Sequence, residues 1–99
     1  MAIEILLALE VSDDSIYQQY RDAMTPILIS YGGAFIYDFK VSEVLKSPVE
    51  EPINRVFNIR FGSESAMDDF FADEAYQVIR RQYFDTSVTA MTEIAQYDC

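Results

Sequence analysis

Four polar side chains carry the strongest chemical signal in this sequence. Glu4, Asn58, Arg60 and Glu93 each sit in a stretch whose apolar residues recur at every second position. That period predicts strands, and parity places all four on one face of a sheet. A carboxylate beside an arginine in a partly dry cavity can orient a polar ligand or move a proton. The same groups also suit an ion pair buried between two subunits, where each charge satisfies the other. The sequence leaves both roles open, and no residue is assigned a catalytic one.

Other chemistries lack their parts. The chain has no histidine, which removes His-ligated haem and Ser-His-Asp or Cys-His catalysis. Cys99 is the one cysteine, so neither an internal disulfide nor a zinc set is expected. No phosphate loop or dinucleotide glycine pattern occurs. The acidic pairs Asp13-Asp14, Glu50-Glu51 and Asp68-Asp69 fall at predicted helix starts or in a loop, where capping and solvation explain them better than a hard metal. Arg55, Arg80 and Arg81 read as salt-bridge partners for the acidic surface. No metal and no cofactor is expected.

The elements that position these residues follow from pattern. Ala2 to Glu10 alternates Ile3, Ile5, Leu7 and Leu9 with its other residues, a strand. Ser12-Asp13-Asp14 opens a helix running to about Ser30. Its expected apolar stripe is Ile16, Tyr20, Met24, Ile27 and Tyr31. Pro26 predicts a kink or early end, and Gly32-Gly33 a stop. Ala34 to about Leu45 reads as a second strand, Lys46 to Pro52 as a loop, and Ile53 to Phe61 as a third strand. Gly62-Ser63 leads into a second helix, with a capping box expected at Ser65 and Asp68. Asp73 is expected to cap a further helical segment striped by Tyr76, Ile79 and Tyr83. Ser87 to Tyr97 reads as the last strand, with Met91, Glu93, Ala95 and Tyr97 facing away from the helices.

This order, β-α-β-β-α-β, predicts an α+β ferredoxin-like fold. Residues 1–99 are expected to form one domain with a four-stranded antiparallel sheet, ordered 4-1-3-2, and two helices on one face. The other face carries Leu6, Ala8, Val56, Met91 and Ala95. Such a patch predicts a homodimer joined face to face through the sheets.

Composition agrees with a packed domain. The chain is 51% hydrophobic, including seven Tyr and seven Phe, which is too apolar for disorder. Seventeen acidic residues against seven basic ones give a net charge of −10. Such a field repels nucleic acid and anionic membrane, so neither is an expected partner. No basic leader segment precedes the first strand, and no apolar run reaches bilayer length. A cytoplasmic protein is expected.

The arrangement resembles a known family. Tyr20, Pro26 and Tyr31-Gly32-Gly33 lie at the first helix, and Asn54-Arg55-Val56-Phe57 in the third strand. Phe61-Gly62-Ser63, Ala66, Phe70-Phe71 and Tyr76 follow. In order and spacing these resemble the family called domain of unknown function 1330, within the dimeric α/β-barrel superfamily. The resemblance covers nearly the whole chain. It implies the fold and a dimer, and it adds Tyr20, Tyr31 and Tyr76 as weaker candidate ligand contacts. Two functions stay open. One is a small-molecule site in a cavity of the dimer, for binding or for cofactor-free oxygenation or isomerisation. The other is a non-catalytic regulatory or assembly module whose sheet face serves only association.

Overall fold

Strict alternation makes the two inner strands. β1 (Ile3–Val11) and β3 (Arg55–Phe61) pair antiparallel from Ile3 opposite Phe61 to Leu9 opposite Arg55, without a break in register. Ile3, Ile5, Leu7 and Leu9 then face the same side as Phe57, Ile59 and Phe61, and all seven are buried in one core. The computed structural model describes residues 1–99. Between and after these strands come α1 (Asp14–Ser30), β2 (Ala34–Lys40), α2 (Glu64–Ala72), α3 (Glu74–Ile79) and β4 (Val88–Asp98). A π-helical segment, Arg80–Phe84, and a last helical turn, Asp85–Ser87, continue α3 into β4. The sheet order is β2-β3-β1-β4, and every pair is antiparallel. This is the α+β ferredoxin-like βαββαβ architecture that the sequence predicts.

Local chemistry refines several boundaries. Asp13 caps α1 by accepting the Ile16 N–H at 3.0 Å. The helix does not end early at Pro26 but runs on to Ser30. Its last turn is held by a Schellman closure: Gly33 N–H donates to Leu28 O, and Gly32 N–H to Ile29 O, both at 2.9 Å. Gly32 takes the left-handed φ of 76° that this closure needs. At Gly33 a Cβ would collide with the Leu28 side chain. The cap of α2 is Ser63, not Ser65. Ser63 is still extended and accepts the Ala66 N–H at 3.1 Å, whereas Ser65 already lies inside the helix. Asp73 caps α3 through the Tyr76 N–H at 2.9 Å, as expected.

β2 stops at Lys40, short of Leu45, and β3 begins at Arg55. Asn54 anchors the start of β3 to β1. Its N–H donates to Leu9 O, and its side-chain amide exchanges two hydrogen bonds with the Val11 backbone. The segment between is a loop, with Leu45 fully in solvent.

The inward stripe of α1 is also rotated from expectation. The buried residues are Tyr17, Tyr20, Arg21, Met24 and Leu28, while Ile16, Ile27 and Tyr31 are half-buried at its margins. An arginine can sit on this stripe because β2 supplies its partner. The Arg21 guanidinium lies 3.7 Å from the centre of the Phe35 ring and bonds Asp38 Oδ2 at 2.5 Å. Arg55 grips the same carboxylate with two bonds of 2.8 Å. One aspartate thus ties α1, β2 and β3 together.

Two results test this packing. Phe61→Ala should lower stability by about 3–5 kcal/mol in a denaturant titration. A cost below about 1 kcal/mol, as for exposed substitutions, would contradict the core placement. The second concerns acid. The Arg55 hydrogen bonds, and then Arg21, hold the Asp38 carboxyl below its usual range. A depressed carboxylate stabilises the fold above its unfolded value and loses that contribution as pH falls through the folded one. Stability should therefore fall below about pH 4. Asp38→Asn should be less stable at neutral pH and show a shallower acid limb. An unchanged acid limb would contradict the bridge.

Candidate functional site

The inner strands deliver three of the four strand-borne candidates to one place. Glu4 pairs across the sheet with Arg60, and Asn58 with Leu6, so Glu4, Asn58 and Arg60 share the face away from the helices. Glu4 is 5% exposed. Its Oε1 accepts from Asn58 Nδ2 at 2.8 Å and from the Tyr97 hydroxyl at 2.9 Å. Its Oε2 accepts from Arg60 Nε at 2.7 Å and Nη2 at 2.5 Å. Asn58 Oδ1 in turn accepts the Tyr37 N–H at 2.7 Å. Four donors fill the lone-pair sites that a carboxylate offers. The Arg60 and Tyr97 hydrogen bonds hold the Glu4 carboxyl below its usual range, and Glu4 raises Arg60. The Glu4 acceptors of this charged network are filled, while the Arg60 side chain remains about half exposed.

Glu93 does not join it. β4 pairs with β1 through two register shifts, one between Leu6 and Leu7, the other between Glu10 and Val11. Met91 therefore stands opposite Leu9, and Glu93 opposite Leu7, on the helix side of the sheet. Beyond the bulge at Ile94 the parity returns, so Ala95 and Tyr97 lie on the open face as expected. The expectation that Met91 and Glu93 face away from the helices is thus corrected, and the cause is one unpaired residue. A third shift, between Phe35 and Tyr37, acts on β2. Phe35 packs against Phe57 on the helix side, with ring centres 5.6 Å apart. Tyr37 and Phe39 stack on the open face at 5.7 Å and are 61% and 55% exposed. The open-face patch is therefore Leu6, Val56 and Ala95 with these two rings, while Ala8 is buried.

The residues turned inward border the second constellation. Between the helices and the sheet lies a cavity of about 120 Å³. Its walls are apolar, from Leu7, Met24, Ile59 and their neighbours, and its two charged residues are Arg80 and Glu93. Tyr20 and Tyr76 line it and join their hydroxyls at 2.8 Å, with both rings buried. Tyr17 also lines it, and its buried hydroxyl has no partner within the chain. Burial pushes Tyr17 up to about 12 and raises Tyr20 and Tyr76 as well. At neutral pH these groups are neutral donors and acceptors, not bases.

Tyr31 is not part of this group. Its hydroxyl donates to Asp73 Oδ2 at 2.7 Å, which ties the end of α1 to the junction of α2 and α3. That bond lowers Asp73 and raises Tyr31. Arg80 is the wall residue that its sequence context hides, since Arg80-Arg81 reads as surface charge. The usable signal was spacing, for Tyr76, Arg80 and Phe84 recur every four residues and all three line the cavity.

No helix is long and apolar enough to cross a membrane. Several solved structures share the fold. A protein of unknown function from Rhodopseudomonas palustris superposes with a TM-score of 0.81 at 18% identity, covering 99% of this chain and 82% of that one. A Dabb family protein with a ferredoxin-like fold, from Mesorhizobium loti, gives 0.70 at 15% identity over 99% and 96%. A dimeric protein of unknown function and ferredoxin-like fold, from Bacteroides fragilis, gives 0.67 at 8% identity over 99% and 96%. No curated protein matches the sequence. Residues 5–97 match the profile of the family described as domain of unknown function (DUF1330), and the chain belongs to that family.

Proposed function

We propose that this protein is a homodimer that binds a small organic molecule in the cavity between its sheet and its helices. The cavity itself carries the reading. A well-packed interior leaves few voids larger than a water molecule, yet here apolar walls surround about 120 Å³ beside a tyrosine pair and two charged side chains. Apolar cavities of roughly 150 Å³ accept a benzene-sized guest. The size suits a single ring or a short branched chain. Neutral, high-pKa tyrosines favour binding over proton abstraction, because neither hydroxyl of the pair is poised to lose its proton.

The Glu4 network is better suited to assembly than to ligand capture. Its acceptors are already filled, and it sits among the half-buried Leu6, Val56 and Ala95. Exposed Tyr37 and Phe39 flank it on β2 and would gain cover from a second sheet. The dimeric Bacteroides fragilis neighbour supports such an assembly by its fold.

Two measurements check these points. Saturating toluene should raise the melting temperature of the parent, and Met91→Trp, which fills the mouth from a half-exposed position, should abolish the shift. No shift in the parent would contradict a ligand cavity. Sedimentation should return about twice the 11.4 kDa chain mass. A stable interface would bury more than about 1,000 Å², and the double change Tyr37→Lys, Phe39→Lys should give monomer. A monomeric parent would contradict the assembly.

A further inference from the structure

We propose that Arg80 makes the cavity selective for ligands that carry a carboxylate on a single ring or a short apolar body. The inference rests on reading the cavity as a ligand site. The Asp85 N–H donates to Arg80 O, the five-residue step of a π-helical turn. In a straight α-helix a spacing of four drifts by about 40° per step. A wider turn takes that drift back, so Tyr76, Arg80 and Phe84 all line one cavity.

The guanidinium is held, reaches the Tyr76 hydroxyl and keeps further N–H donors to spare. It lies 4.8 Å from the centre of the Phe84 ring, and its side chain is 31% exposed. Its acidic neighbour is Asp85, with Nε to Oδ1 at 3.9 Å, the outer limit of an ion pair and too long for a hydrogen bond. Glu93, across the cavity on the sheet wall, makes no ion pair with it. Arginine offers a planar fork of donors that matches a carboxylate.

The tyrosine pair adds to the same balance. One hydroxyl proton is used between Tyr20 and Tyr76, and the other remains to be donated. The positive field of Arg80 reaches both hydroxyls and works against the effect of burial on them. A carboxylate accepts several hydrogen bonds and so matches these donors; Glu93 on the opposite wall opposes it, but that residue is exposed and its charge is met by water. The net charge of −10 opposes an anion only weakly at a distance, because salt screens beyond about 8 Å.

Benzoate and toluene test the inference on the full chain, with affinities read from NMR shift titrations. Arg80→Met should reduce the ratio of benzoate to toluene affinity at least about tenfold, the scale of a lost charge-assisted hydrogen bond. Arg80→Lys, which keeps the charge but loses the fork, should reduce it by less. It also decides the matter if the Met variant fails to fold. An unchanged ratio in the folded variant, or a parent that binds toluene and not benzoate, would overturn the carboxylate assignment while leaving the cavity reading in place. Failure of both probes to bind the parent would overturn both.

Discussion

A β-strand serves two faces because its side chains alternate, and one unpaired residue exchanges every side chain beyond it. The protein depends on where that alternation holds and where it breaks. It holds through β1 and β3, so their inward residues form an unbroken apolar floor and Glu4, Asn58 and Arg60 collect on the opposite side. It breaks on both edge strands. The β2 shift sends Phe35 into the core but Tyr37 and Phe39 outward. The β4 shifts turn Met91 and Glu93 inward and return Ala95 and Tyr97 to the open face. Each bulge thus supplies one side chain set to the cavity side and another to the outer face.

The helical layer meets this floor through aromatics. Phe61, Phe70, Phe71 and Tyr76 pack ring against ring, and Tyr17, Tyr20 and Phe84 continue the cluster toward β4. Tyr17, Tyr20, Phe71, Tyr76 and Phe84 of this cluster border the cavity. The π-helical turn belongs to the same geometry, since it keeps Arg80 and Phe84 on the wall. On the outer edge, Asp38 performs the complementary task. It lets a buried arginine replace an apolar residue on α1 without leaving an unpaired charge.

The sequence was legible where one local rule acted alone. The element order, the inner-strand parity and the Asp73 cap came from alternation, spacing and capping chemistry. Glu93 was misplaced because a bulge has no residue signature here; Ile94 and Ile36 are ordinary strand residues. Arg21 is not legible as an inward residue, because it is charged and its partner Asp38 lies on a distant strand. The end of β2 at Lys40 is not legible, because the alternation of apolar residues runs on past it into the loop. Tyr20 and Tyr76 were brought forward by resemblance, and their pairing across 56 residues depends on how α1 and α3 dock.

On the proposed reading, a ligand enters the cavity between helices and sheet, not the Glu4 network on the open face. Intermolecular NOEs from toluene to the side-chain methyls of the labelled protein would test it directly. Toluene should contact the methyls of Met24, Leu7 and Met91. Contacts to Leu6, Val56 and Ala95 instead would contradict it.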